Sequence, residues 1–427
     1  MRATMIIDRL PPQMRTVLAG LGAYASAEAA TRIVRLVVIL IVARQVDAAM
    51  LGLAALALSM FEIVRVLANA GIGQRIVAAN EGELAQICNT AHRLFWSWCS
   101  VVALVQLAVA GVLWLGFDNR EAAMMLAALA VVYPIMPPGL VQVFLLMRDQ
   151  RLGTTARIAA TQTMLDHGLT LLLVLAWPSA WAIVLPKILT APVWTILCRR
   201  AMHWAPTPAS GYAPIGAFRR LAPAVLASEF IAAARMQADK LIIGALFGVE
   251  TLGLYYFAFN AGLGITQSFV SAFGIVAFPQ LCRAGSPFER RRQLRQVLIV
   301  GGAIFGPVVI LQGLLAPIYV PLVFGETWRA AAPYVALLSL AALPLLTAAA
   351  LGAYYRASDE APREAVLGAA ATLASLAALT VAASISLAAA CAAFAAALAL
   401  VFFPAALVVC VGQRSTAISV KAKEYLS

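Results

Sequence analysis

Long apolar runs, each of about the length needed to cross a bilayer, follow one another along almost the whole chain. They fall at roughly 17–43, 50–74, 93–116, 122–147, 154–177, 180–200, 219–246, 252–281, 296–318, 330–352, 364–383 and 387–411. Apolar and polar residues do not alternate within the runs, as they would in the strands of a membrane barrel. Lipid leaves helices as the other spanning structure, so the pattern predicts an all-α integral membrane protein with about twelve transmembrane helices. The boundary between the last two rests on Ser384 and Ser386, because no charge occurs between Ala365 and Gly412.

Composition agrees with that reading. The 427 residues are 63% hydrophobic and 12% charged, with a mean hydropathy of +0.90. A soluble domain carries about 25% charged residues.

The chain reads as one unit written twice. Ala25-Ser26-Ala27-Glu28 is followed by Leu51-Gly52-Leu53, and Ala227-Ser228-Glu229 by Leu252-Gly253-Leu254. Glu28 and Glu229 are separated by the same interval as Gly52 and Gly253. Between the halves, residues 201–218 carry Pro206, Pro208, Pro214, Gly211 and Gly216, the composition of a linker. The expected organisation is an N-terminal six-helix lobe over 1–205 and a C-terminal six-helix lobe over 206–427. With an even number of spans per half, the repeats share one membrane orientation and are expected to enclose a common cavity.

The net charge of +12 does not indicate nucleic acid, because the cations sort by membrane side. Arg148, Arg151, Arg157, Arg199, Arg200, Arg219 and Arg220 fall in loops on one side. So do Arg283, Arg290, Arg291, Arg292, Arg295, Arg356 and Arg363, with both chain ends. The opposite loops hold only Arg44, Arg120 and Arg329. This asymmetry marks the basic side as cytoplasmic and both termini with it, facing anionic membrane lipids. Asp8 and Pro11-Pro12 argue against a cleaved signal. The six cysteines have no Cys-x-x-Cys spacing, so neither a disulfide nor a metal cluster is expected.

Charges inside a span cost about 2.5–3.5 kcal/mol each on insertion scales, so they point to a site. Glu28, Arg32 and Arg35 share one face of the first span, and Glu62, Arg65 and Asn69 one face of the second. The fifth span holds Asp166 and His167, and the sixth holds Lys187 beside Pro186. The seventh holds Glu229, Arg235, Asp239 and Lys240, and the eighth Asn260 and Gln267. Arg32, Arg35, Arg65, Lys187 and Arg235 would suit an anion, since arginine forks match phosphate oxygens. Glu28, Glu62, Asp166, Glu229 and Asp239 would balance those charges or bind a coupling ion. Asn69, Asn260 and Gln267 would line the polar path. Duller readings stand beside these. Glu28 with Arg32, and Arg235 with Asp239, have the spacing of helix-stabilising ion pairs. Asp239 and Lys240 lie near a span end, from which they could snorkel to the headgroups. Prolines 134, 137 and 138 in the fourth span, and 186 and 192 in the sixth, each remove a helix hydrogen bond.

The stretch Asp239-Lys240-Leu241-Ile242-Ile243-Gly244, followed after a short turn by Leu252-Gly253-Leu254-Tyr255, resembles the seventh-to-eighth-span signature of bacterial polysaccharide flippases. Phe278-Pro279 ends the eighth span as that family does, and Ala43-Arg44, Leu51-Gly52 and Gly71-Ile72-Gly73 echo it in the first half. The resemblance is to the polysaccharide-transporter (Wzx-like) branch of the multidrug/oligosaccharidyl-lipid/polysaccharide exporter superfamily. It implies a MATE-like fold and the flipping of an undecaprenyl-pyrophosphate-linked glycan across the bacterial inner membrane. It implies no cofactor and no enzymatic step. H+ or Na+ coupling and a glycan polymerase or export machinery as partner are left open. A cation-coupled multidrug antiporter of the same superfamily is the alternative, disfavoured by the prominence of intramembrane cations. A membrane enzyme of glycan assembly is a third, with no GxSxG, HExxH or P-loop to support it.

Overall fold

The computed structural model describes residues 34–69, 71–219 and 222–411. It is helical throughout. Helix α1 covers 34–45. The next are α2 (Ala48–Val66), α3 (Ile72–Val77), α4 (Leu84–Phe117), α5 (Arg120–Leu129), α6 (Val132–Ile135), α7 (Pro137–Arg148), α8 (Leu152–Ala176) and α9 (Ala180–Ala201). After the one-turn α10 (Gly216–Arg219) come α11 (Ala222–Ala258), α12 (Ile265–Cys282), α13 (Pro287–Tyr319), α14 (Ala332–Leu340), α15 (Ala342–Ala357), α16 (Ala361–Ala383) and α17 (Leu387–Val411).

Among the described residues nine helices are long and apolar enough to cross a membrane, or up to ten with one bent pair taken as a span. The twelve runs read from the sequence differ from this for physical reasons. The first run lies largely outside the described residues. The seventh and eighth are continuous in Glu229–Gly264, because the chain reverses at Gly248 (φ 82°, ψ 177°) without a loop. A glycine is needed there, since side-chain-bearing residues rarely adopt that φ. The bent pair is α5–α6 with α7, broken by 59° at the prolines of the fourth span. The break frees the Ile135 carbonyl, and Thr195 of α9 donates to it at 2.9 Å. Pro186 and Pro192, by contrast, stay within the single helix α9.

The chain divides into two compact units. One comprises residues up to Val46 and Ala57–Ala234, the other Asp47–Leu56 and the chain from Arg235 onward. In the first unit α4 packs on α5, α9 on α8 and α7, and α3 on α7. Phe61, Phe95, Met125, Leu126, Tyr133 and Leu146 are fully buried there. The Phe144 ring lies where a Cβ on Gly73 would stand, 2.0 Å away, and stacks on Phe95. Tyr133 donates to Gln106 at 2.6 Å, and Gln106 donates to the Leu126 carbonyl at 2.7 Å, so the buried polar pair is satisfied.

In the second unit α16 packs on α17, α12 on α15, and α13 on α14. The eighth span opens into a π-turn over Phe259–Gly264, whose loosened carbonyls at Ala261 and Gly262 accept from Gln312 of α13 at 3.2 and 3.1 Å. Phe257 lies flat against the buried Trp328, with ring centroids 4.2 Å apart.

The same unit holds a reciprocal crossing. A Cβ on Gly52 would lie 1.8 Å from the Val249 carbonyl oxygen, and one on Gly253 would lie 1.8 Å from that of Ala48. Each glycine thus sits against the carbonyl four residues before the other. Gly52 with Ala48 corresponds to Gly253 with Val249 in the repeat, so the start of α2 and the last turns of α11 meet as equivalent surfaces. Close backbone approach of this kind is a recurrent device of membrane helices.

The segment 201–218, read as a linker, is a strap bound to the first unit. Asn89 of α4, 2% exposed, donates to the carbonyls of Thr207 (2.8 Å) and Gly211 (2.9 Å) and accepts from the Thr207 N–H (3.0 Å). Thr90 donates to the Ala213 carbonyl at 2.9 Å, and the Ala213 N–H donates to the Gln86 carbonyl at 3.3 Å. The Arg93 guanidinium lies 3.8 Å from the centre of the Tyr212 ring. Asn89→Ala removes three part-buried hydrogen bonds to the strap, at about 0.5–1.5 kcal/mol for each. A lowered Tm in detergent and earlier proteolysis within 201–218 are the expected results.

Candidate functional site

The described intramembrane charges form small clusters, each built inside one unit. In the first unit Asp166 of α8 and Lys187 of α9 meet across the packed helix pair, Nζ to Oδ2 at 2.7 Å. The Asp166 side chain is 9% exposed and that of Lys187 is 37% exposed, so the ammonium keeps an accessible side. The second carboxylate oxygen, Oδ1, is buried with no hydrogen-bond partner. His167, Lys187 and Arg35 of α1 are close enough to interact electrostatically in the same neighbourhood. These four residues come from three spans, the first, fifth and sixth, and helix packing brings them together.

A second cluster lies on α2. Arg65 donates to Glu62 Oε2 from both Nε (3.1 Å) and Nη2 (2.6 Å). The arginine side chain is 45% exposed, which leaves Nη1 free of the pair. The face shared by Glu62, Arg65 and Asn69 is interrupted, because the chain tightens to a 3₁₀ turn at Leu67–Asn69 before Gly71 reverses it with φ 72°. Glu229 is exposed on α11. Glu28 and Arg32 lie outside the described residues.

In the second unit the i, i+4 pairing of Arg235 with Asp239 is not formed. Asp239 is held instead by its neighbour Lys240 (Oδ1 to Nζ, 3.2 Å) and by the Tyr255 hydroxyl, which donates to Oδ2 at 2.8 Å. Both charged side chains are buried, at 4% and 6% exposure. Lys240 does not snorkel to the headgroups: its ammonium donates to the Met236 carbonyl at 2.7 Å and lies 4.3 Å from the centre of the Phe259 ring. A carboxylate fixed by a phenol and an adjacent ammonium outweighs a partner one turn away. Arg235 is left exposed, with Nη1 close to Gly368 of α16 and no ion-pair partner among the described residues. Asn260 sits in the π-turn and donates to the Tyr256 carbonyl at 2.8 Å. Gln267 lies on α12.

Tyr255 and Gln312 were not singled out in the sequence. Tyr255 had a signal in being the tyrosine of the Leu-Gly-Leu-Tyr motif, fully buried inside an apolar span. Gln312 had only its polarity within a long apolar run.

The helical order, the spans broken near glycine and proline, and the repeated glycine crossing belong to a membrane protein with the fold of MATE and MurJ. An inward-facing MATE family transporter of the MOP superfamily superposes with a TM-score of 0.67 over 92% of this chain and 96% of that one, at 13% identity. The lipid II flippase MurJ, inward closed, gives 0.72 over 92% and 87%, at 10% identity. Residues 41–333 match the family model described as polysaccharide biosynthesis protein, and the chain belongs to that family. The lipopolysaccharide biosynthesis protein WzxC of Escherichia coli K12 is 21% identical over 72% of this chain. The succinoglycan biosynthesis transport protein ExoT of Rhizobium meliloti is 23% identical over 76%. The matches span 63% and 66% of the length of those two relatives.

Proposed function

We propose that the protein is a flippase in the bacterial inner membrane. It moves an anionic lipid-linked oligosaccharide or polysaccharide repeat unit, carried on undecaprenyl pyrophosphate, from the cytoplasmic to the outer leaflet by alternating access. The observation that carries this reading is the accessible cation held at a buried acid. Lys187 uses one donor on Asp166 and keeps an exposed side, while the acid is almost sealed. Arg65 likewise shows an unused guanidinium nitrogen beside Glu62. Cations held in place by carboxylates, with donors to spare within apolar spans, suit a diphosphate better than a cationic drug.

In this reading Arg32, Arg35, Arg65, Lys187 and Arg235 hold the diphosphate and any sugar acids. Glu28, Glu62, Asp166, Glu229 and Asp239 balance them or take up a coupling H+ or Na+, and Asn69, Asn260 and Gln267 line the path. A glycan polymerase or export machinery would receive the product. Directional movement requires the ligand to bind the two access states with different affinity.

Arg65→Ala and Lys187→Ala are expected to reduce flipping of a lipid-linked oligosaccharide in reconstituted vesicles by about tenfold each, at equal protein level, the loss of one charge-assisted contact. Unchanged flipping in both variants would remove the cationic site. Proton-driven efflux of cationic dyes by the wild-type protein, without glycolipid movement, would favour the drug antiporter instead.

A further inference from the structure

The two repeats treat their third helix differently at its first turns. In the first unit the start of α4 is covered by protein, with Gln86, Asn89, Thr90 and Arg93 holding the strap. The arginines nearby are neutralised: Arg75 pairs with Glu83 at 3.0 Å and Arg148 with Glu81 at 2.7 Å. In the second unit the corresponding helix is α13, and its first turns carry Arg290, Arg291, Arg292 and Arg295 against one acid, Glu289. That acid is already engaged by the Gly285 N–H at 3.0 Å.

Cations at a helix N-terminus oppose the helix dipole, and Arg291 and Arg295, one turn apart, oppose each other. The surroundings relieve this only in part. Arg290 donates to the Leu281 carbonyl and to Ser358 Oγ, both at 3.3 Å, and Arg291 donates from Nε to the Tyr354 hydroxyl at 3.4 Å. The Arg291 Nη1 is buried and has no acceptor. Arg292 and Arg295 are exposed and have no ion-pair partner among the described residues. The acids of the next connection are committed elsewhere, Glu364 to Arg356 and Glu360 to Arg363.

We propose that the first turns of α13, with Tyr354 and Ser358 at the end of α15, form a binding site for the phosphate headgroup of an anionic phospholipid of the cytoplasmic leaflet. A phosphate would supply acceptors for the exposed Arg292 and Arg295 guanidinium groups, and the helix N-terminus would add to its attraction. The arginines directly precede the apolar part of α13, the position at which basic clusters meet lipid headgroups. The site is separate from the intramembrane cations and does not depend on what the protein transports.

The test is native mass spectrometry of the detergent-purified full-length protein. It would be stripped of lipid and then offered phosphatidylglycerol, cardiolipin or phosphatidylethanolamine. Retention of the anionic lipids about tenfold better than phosphatidylethanolamine is expected, with loss of most of that preference in R292Q/R295Q. Equal retention of all three lipids by the wild type would overturn the proposal, even if the double variant failed to fold. So would a preference unchanged in a folded R292Q/R295Q protein. Displacement of phosphatidylglycerol by equimolar polyprenyl diphosphate, but not by inorganic phosphate, would assign the arginines to the transported carrier and also end the proposal.

Discussion

Alanine in place of Gly253 is expected to abolish accumulation of a functional protein, and alanine in place of Gly52 to do the same. The new methyl group would lie 1.8 Å from a backbone carbonyl oxygen in either case. No side-chain rotation relieves a clash with backbone, so two helices must move apart, and Val249, Leu252 and Ala48 must shift with them. Overpacking of this kind costs about 1–3 kcal/mol and more where backbone is displaced. The control is Gly302→Ala in α13, where a Cβ meets nothing within 4 Å and near-normal Tm and expression are expected. Wild-type levels and activity for Gly253→Ala would show that the crossing is looser than its geometry states.

The second large effect is expected at Asp239. Removing its carboxylate in Asp239→Ala leaves the Lys240 ammonium, 6% exposed, with one carbonyl and an aromatic face for company. Breaking one partner from a buried ion pair costs about 3–5 kcal/mol. Tyr255→Phe removes one hydrogen bond to the same acid and is the milder change, at about 1–3 kcal/mol. Replacing both charges, as in Asp239→Leu with Lys240→Met, should restore most of the stability, because apolar substitution of a whole buried pair is often neutral. Thermal unfolding in detergent orders these variants, and transport by the folded double variant separates a structural pair from a working one.

Much of the architecture is legible in the chain because lipid permits few solutions. Apolar runs without alternation left helices, and the paired Leu-Gly-Leu sequences announced a repeat whose glycines do meet. The fourth span's prolines signalled the 59° bend, but the same residue type in α9 did not break the helix. Proline fixes only a missing hydrogen bond, and neighbouring helices decide whether the axis turns. The charges were harder to read. Spacing along one helix suggested Arg235 for Asp239, whereas Lys240 and Tyr255 took it, because burial favours the nearest donors that packing can enclose. Asp166 and Lys187 lie in successive helices, and no spacing rule joins them. The strap was legible only in part for the same reason: prolines and glycines mark irregular chain, and only the buried Asn89, distant in sequence, shows that the irregular chain is held.

That strap carries a consequence for biosynthesis. Gln86, Asn89 and Thr90 of α4 gain these hydrogen-bonding partners only when residues 207–213 have left the ribosome. The first half of the protein therefore finishes its own assembly after its last long helix, not with it. The end of the first unit at which α4 begins is closed by residues 207–213, which follow α9 in the chain.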